Sequence, residues 1–305
     1  MATRALLVAN SAAGTADDDL VAAVAAILRK GYDLRIARPD TPDVLTDELT
    51  GFAGDRVIVA GGDGSLHLAI NVLNDLGRLD DVAVGLVPLG TGNDFGGGIG
   101  MPEDPLDAAR ACLDASPEPV DAVVADDGEH VVNAAHAGIG AVAAEFAQST
   151  KPVAGRLAYP LGAIQAAMSE AGYQVTLRLD GETIHDTGML FALVANGPRI
   201  GGGTTMCPDA DPADGLIDVL VIDSMPLHER AGLGIDIQRG THLEREDVHY
   251  WRGAELHIAG EAVDHNRDGE ILHGLADVTY TIRPAAWQLL RWSTPPRTVD
   301  AVRRG

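Results

Sequence analysis

Three short stretches of this 305-residue chain carry residue types that could do chemistry. The first is Gly61-Gly62-Asp63-Gly64-Ser65, which follows the apolar run Arg56–Ala60 and leads into a helical pattern from Leu66. Glycines there let backbone N–H groups approach a phosphate unhindered, and a helix N-terminus adds favourable partial charge. Ser65 can hydrogen-bond a phosphate oxygen. Asp63 would repel one unless it meets a metal, a ribose hydroxyl or a proton in transfer, although an ordinary Gly-Asp turn reads the same way. The second stretch, Pro88-Leu89-Gly90-Thr91-Gly92-Asn93-Asp94-Phe95, follows the next apolar run. The third is Asp268-Gly269-Glu270. Its two carboxylates are two residues apart, so on an extended strand they would share a face, and one of them could take a proton from an acceptor hydroxyl. As an isolated tripeptide it is equally consistent with a polar turn.

Several chemistries are excluded at this level. The dinucleotide fingerprint needs a third glycine where Phe95 stands and an acid about 20 residues further on, and neither requirement is met well. No G-x-x-x-x-G-K-[ST] loop exists in the chain. The ten histidines form no close pair with a third ligand at zinc-like spacing, and most read as surface residues. Cys112 and Cys207 make neither a ligand cluster nor a disulfide framework, which suits a reducing compartment. The formal net charge is −23, and Lys occurs only at Lys30 and Lys151. Phosphate contacts with nucleic acid need clustered basic residues, so nucleic acid is not an expected partner. The same charge opposes simple docking on anionic membranes and reads as a solubilising surface. No apolar run approaches the roughly 18–20 residues of a membrane span, and the first fourteen residues lack a secretory signal. The expected location is cytoplasmic.

The elements that must position these stretches fall into two styles. Strand-like runs at Ala5–Ala9, Leu34–Ala37, Arg56–Ala60 and Val82–Val87 alternate with helical patterns near Asp17–Lys30, Leu66–Leu76 and Pro105–Ala115. That alternation predicts a doubly wound, Rossmann-like α/β domain over residues 1–125, with a parallel sheet covered on both faces. From about Asp121 the helical period fades. Runs at Gln174–Leu179, Met189–Ala195, Leu216–Ile222, Glu255–Ala259 and Val278–Ile282 recur between Gly and Asp turns, predicting an antiparallel β-sandwich over 126–290. Helices are expected near Val142–Gln148, Arg156–Ser169 and Pro226–Gly234, and residues 291–305 are expected to fray or return to the first domain.

Taken together, the motifs resemble those of the diacylglycerol and sphingosine kinase family. Gly61 to Ser65 resembles the GGDGT motif shared by diacylglycerol, sphingosine, ceramide and NAD kinases. Pro88 to Phe95 matches the PLGTGNDF segment of bacterial diacylglycerol kinases and sets the chain apart from NAD kinases. Further matches are Asn133 with Gly138-Ile139-Gly140, Asn196 with Gly201-Gly202-Gly203, and Pro208-x-Ala210 with Asp214 to Val219. The resemblance runs from Asn10 to about Trp292.

The resemblance implies an NAD kinase-like fold, with ATP and Mg²⁺ in the cleft between an α/β domain and a β-sandwich. It implies transfer of the γ-phosphate to a lipid hydroxyl, with diacylglycerol giving phosphatidic acid as the leading case; a kinase of the same fold acting on a sphingoid base, NAD or a polyol, and a non-catalytic nucleotide-binding regulator, are the alternatives. The family's first phosphate loop corresponds to Asn10-Ser11-Ala12-Ala13-Gly14-Thr15, with Ser11 in place of Pro and Thr15 in place of the usual Lys. A nearby Arg could substitute for that cation, and the sequence leaves open which. Nucleotide contacts are implied for Asn10, Ser11, Gly14, Thr41, Gly61, Gly62, Asp63, Gly64 and Ser65, with Gly90, Thr91, Gly92, Asn93 and Asp94 bordering nucleotide and acceptor. Glu270 occupies the position of the candidate base, with Asp268 beside it and Asp63 as a rival. Leu68 replaces a Glu usual in the family, while Asn71 is retained. A structural Mg²⁺ would take the Asp214 carboxylate and the backbone carbonyls of Asp211 and Leu216, with Ala213 where an acid is common. The acceptor pocket is expected among residues from about Ala141 to Ala167. Membrane contact would be peripheral and transient, and the resemblance allows a homodimer.

Overall fold

A computed structural model describes residues 3–9, 15–90, 92–138 and 172–292. The first part alternates β1 (Thr3–Ala9), α1 (Thr15–Leu28), β2 (Tyr32–Ala37), α2 (Pro42–Thr50), β3 (Arg56–Gly61), α3 (Asp63–Asp75) and β4 (Ala83–Pro88). Two helices follow, α4 (Asp94–Gly98) and α5 (Pro105–Asp114). The strands are parallel in the order β2-β1-β3-β4. β1, β3 and β4 are almost wholly buried, as their continuous Val, Ile, Leu and Ala content requires of strands covered on both faces. Helix α1 packs with α5, and α2 packs with α3. The short α2 was not anticipated, although Thr41 as N-cap and Pro42 at its first turn are ordinary start signals.

The second part is antiparallel. It comprises β5 (Ser116–Ala125), β6 (His130–Val131), β7 (Ala134–Gly138), β8 (Tyr173–Leu179), β9 (Glu182–His185), β10 (Gly188–Ala195), β11 (Arg199–Ile200), β12 (Thr204–Thr205) and β13 (Ile217–Asp223). Helix α6 (Leu227–Arg239), β14 (Val248–Gly253), β15 (Glu255–Arg267) and β16 (Glu270–Arg291) complete it. Strand order β14-β13-β10-β7-β15-β16 forms the main sheet, and β8 pairs with β9, β10 and β15. Period-two alternation divides the side chains between two cores. In β13, Ile217, Val219 and Val221 enter the sandwich interior, while Leu220 and Ile222 pack beneath α6. The expected α/β and β-sandwich architecture is present. The helix expected at Pro226–Gly234 runs on to Arg239, and the two expected within 142–169 lie outside the described residues.

One strand joins the halves. The carboxyl end of β16 pairs parallel with β4 through Gln288 and Leu289. Trp287, Leu289 and Leu290 are buried in the core of the first part, whereas Val278, Tyr280 and Ile282 of the same strand belong to the sandwich. β5 follows β16 antiparallel along this path, with Val120 and Ala122 in the first core and Val123 and Ala125 in the second. The register of the pair breaks between Arg283 and Trp287, where Ala285 has a positive φ of 51°. Asp121 holds this break, because its carboxylate accepts the amides of Ala285 and Gly215, both at 2.7 Å.

Trp287 is fully buried and packs on Phe95, with ring centroids 5.8 Å apart. Trp287→Ala is expected to lower the unfolding free energy by about 3–5 kcal/mol, read from urea melts. A loss below about 1 kcal/mol would show that the returning strand is not integral to the first core.

Candidate active site

The glycine-rich turns lie at the carboxyl ends of β3 and β4, the end where open parallel sheets bind ligands. Three of these glycines are required by packing alone. A Cβ on Gly61 would stand 2.4 Å from Ser65 Oγ, and one on Gly90 would stand 2.6 Å from Gly62 Cα, so Gly62 and Gly90 let the two turns touch. Gly64 differs, since nothing lies within 4 Å of where its Cβ would be. Its backbone faces open space above the first turn of α3. Asn93 takes a left-handed φ of 56° and closes the second turn on itself. Its amide donates to Gly90 O at 2.8 Å and accepts from Gly90 N–H at 3.1 Å. Thr41 is N-cap of α2, its hydroxyl oxygen accepting from Val44 N–H. Asn10, Ser11, Gly14 and Thr91 lie outside the described residues.

The aspartates of the motifs serve as acceptors for backbone amides of other segments. Asp63 accepts the N–H groups of Asp94 and Phe95 at 2.9 and 3.1 Å, clamping the second turn to the first. Burial pushes its carboxyl up to about 6, opposed by those hydrogen bonds and reinforced by the nearby Asp94 carboxylate. Asp94 in turn accepts from Gly202 and Gly203 at 2.9 and 2.6 Å, which ties the α/β part to the glycine run of the sandwich.

Asp268 completes the series and corrects the expectation of two acids sharing a strand face. Arg267 and Glu270 pair across a two-residue turn, and Asp268 and Gly269 within it have positive φ of 48° and 105°. That geometry suits Asp-Gly and folds the Asp268 side chain back into the protein. Its carboxylate, 1% exposed, accepts the amides of Val132, Asn133 and Ala134. It also meets His67 Nδ1 at 3.1 Å. Asp268 is therefore not available to take an acceptor proton. Glu270, two residues on, is exposed.

His67 was overlooked in the sequence. It sits on α3 among the buried Leu66, Ala69 and Ile70, where a lone histidine reads as core. Its two ring nitrogens face two carboxylates, Asp268 and, at 3.1 Å, Glu129. Burial alone would lower its pKa, but the hydrogen bonds to Asp268 and Glu129 push it up to about 10, so it stands as an imidazolium. Burial would raise the Glu129 carboxyl, yet hydrogen bonds from His67 and Arg267 bring it below the usual range. Arg267, itself buried, reaches Glu129 and Asp127 at 2.6 Å each. Glu270 joins this group, with ligand atoms of His67, Glu129 and Glu270 all within 4.8 Å of one another. Because His67 donates from both nitrogens here, a metal ion would first have to displace a proton.

One further expectation is corrected. Six histidines are buried, namely His67, His130, His136, His185, His242 and His265, so the histidines are not mainly a surface population. In the turn assigned to a structural Mg²⁺ the carboxylates have protein partners. Asp214 accepts the Leu216 amide with one oxygen and pairs with the Arg252 guanidinium through the other, while Asp211 accepts the Ala213 amide. Arg252 also reaches Asp218 at 3.1 Å. Arg252 is thus the cation that meets Asp214 here.

Two outcomes follow for the buried cluster. Asp268→Ala would strand three amides and an imidazolium, and a loss of at least about 3 kcal/mol in unfolding free energy is expected from denaturant melts. The His67 contribution is present in full below the unfolded pKa of 6.5 and is lost as pH rises through about 10. Stability should therefore fall between pH 7 and 10, and His67→Gln should flatten that slope. An unchanged slope would show that His67 is not charged in the native state.

Among known proteins, the diacylglycerol kinase catalytic domain matches residues 4–125. The YegS C-terminal NAD kinase beta sandwich-like domain matches residues 133–291. The chain is 33% identical over 237 residues to a "Probable lipid kinase YegS-like" of Pseudomonas putida, covering 77% of this chain and 76% of that one. It is 30% identical over 220 residues to a diacylglycerol kinase of Bacillus subtilis, covering 71% of each. A "Probable lipid kinase YegS-like" of Chromohalobacter salexigens is 36% identical over 172 residues, about half of either chain. A crystal structure from Bacillus anthracis str. Sterne, provisionally named a diacylglycerol kinase, shares the fold with a TM-score of 0.78 at 23% identity, covering 94% of this chain and 97% of that one. The chain belongs to the diacylglycerol kinase and YegS-like lipid kinase family.

Proposed function

We propose that the protein transfers the γ-phosphate of ATP to a lipid hydroxyl, with diacylglycerol as the leading acceptor and Glu270 as the general base. The observation that carries this reading is the placement of Glu270. Of the three candidate acids, Asp63 and Asp268 are spent on backbone amides, while Glu270 is exposed and its carboxylate neighbours His67. Gly64 stands one helical turn before His67, on the same side of α3. The open space above Gly64 is thus about 5 Å along the helix from the group that contains Glu270.

Glu270 would take the proton as the acceptor oxygen attacks the γ-phosphorus and the bond to the ADP oxygen breaks. The products are a phosphorylated lipid, ADP and one proton released to solvent. Little covalent work falls to the protein, so positioning and charge neutralisation dominate. Mg²⁺ would arrive with ATP and supply part of that neutralisation. The His67 imidazolium offsets the carboxylates around it and holds the turn that bears Glu270. A lipid acceptor requires the protein to work at a membrane surface as a peripheral visitor. Among the described residues no helix is long and apolar enough to cross a membrane.

ADP release from Mg²⁺-ATP should be measured with diacylglycerol, monoacylglycerol, sphingosine and ceramide in mixed micelles, with NAD alongside. Turnover is expected with one lipid, and Glu270→Gln should lower it about 10²–10⁴-fold. Turnover with NAD alone would remove the lipid assignment. ATP binding without turnover on any acceptor, at low or high salt, would remove the kinase assignment.

A further inference from the structure

We propose that Arg199 is the cation that binds the phosphate group handled in this cleft. The inference rests on the kinase reading above and concerns how an acidic protein grips a polyanion.

A cleft of about 450 Å³ opens between the second turn and the glycine run of the sandwich. Gly90, Gly92, Gly97, Gly202 and Gly203 line it, and Arg199 is the one basic residue on its wall among the described residues. The backbone of Arg199 is held firmly. Its strand pairs with Thr204–Thr205, and its carbonyl accepts the Asn133 side-chain amide at 2.9 Å. Asn133 is fixed in turn by the Asp268 carboxylate. The guanidinium, by contrast, has no hydrogen bond or ion pair with any described residue. Arg245, Arg252 and Arg267 each meet two carboxylates, whereas the Arg199 guanidinium faces the cleft.

The wall is also shaped around this side chain. A Cβ on Gly97 would lie 2.8 Å from Arg199 Nη1, so a side chain at that position would push the guanidinium tip aside. The amides that the glycine motifs bring to this region are largely consumed. Those of Asp94 and Phe95 go to Asp63, those of Gly202 and Gly203 to Asp94, and that of Gly90 to Asn93. A phosphate group entering here therefore needs a side-chain donor. A planar guanidinium offers a fork of N–H groups matched to phosphate oxygens. Asp94 also lies close enough to feel its charge. The net charge of −23 repels any polyanion at long range, which raises the value of one fixed local cation.

The phosphate could belong to the nucleotide or to the phosphorylated lipid, and calorimetry can separate the two. Wild type, Arg199→Gln, Arg199→Lys and Gly97→Ala would be titrated with a non-hydrolysable Mg²⁺-ATP analogue and, separately, with micellar phosphatidic acid. Arg239→Gln on α6 serves as the surface control. Arg199→Gln should bind at least one ligand about ten- to a hundredfold more weakly, with a shallower salt dependence. Arg199→Lys should recover part of the loss, and Gly97→Ala should show a similar defect without lowering the melting temperature. If the analogue alone is affected the phosphate is the nucleotide's, and if phosphatidic acid alone is affected it is the lipid's. Equal binding of both ligands by wild type and Arg199→Gln overturns this proposal and leaves the kinase reading standing. A wild type that binds neither ligand removes both.

Discussion

The arrangement depends on one buried carboxylate. Asp268 gathers three consecutive amides, those of Val132, Asn133 and Ala134, and pairs with the imidazolium of His67. A bare carboxylate at this depth would be prohibitive, and the four donors offset that cost. One side chain thereby joins α3 of the α/β part, the chain passing from β6 to β7, and the turn between β15 and β16. Remove it and the turn bearing Glu270 loses its anchor. Asp63 and Asp94 repeat the device nearer the cleft, each carboxylate bonding amides on a different segment. Negative charge, so abundant in this chain, serves at these points as internal mortar.

Much of this could be read in the sequence, for reasons that are local. The strand–helix alternation to about residue 115 and the period-two runs beyond residue 173 follow from burial on two faces or one, and the elements appear where those patterns occur. The glycine motifs were legible as turns at strand ends. What each polar residue in them touches was not. Asp268 meets His67 across 201 positions of sequence, and no spacing rule connects them. Asn93 could be seen as a member of its motif, but its closure onto Gly90 depends on a left-handed backbone that Asn tolerates. The second half of β16 was also hidden, because Pro284 looks like an end, whereas the strand passes through the break and resumes at Trp287.

The glycines illustrate why motif and mechanism should be kept apart. Gly62 and Gly90 are demanded by the contact of two turns, and Gly61 by the Ser65 side chain of its own turn, whether or not a ligand is present. Gly64 and Gly97 are different, because the first faces open space and the second faces a guanidinium. The same residue type thus answers to packing at one position and to an approaching group at another. Leu68 is a further case, since the residue that replaces the family's usual acid packs against the first core.

The strand pair β5–β16 has a mechanical meaning. Both strands run from one hydrophobic core into the other, and both lose register at the same place, where Asp121 receives the Ala285 amide. Two halves connected in this way do not swing about a loose linker. A change in the width of the cleft must be absorbed as twist along a continuous ribbon, with the irregular step near Pro284 as its most compliant point.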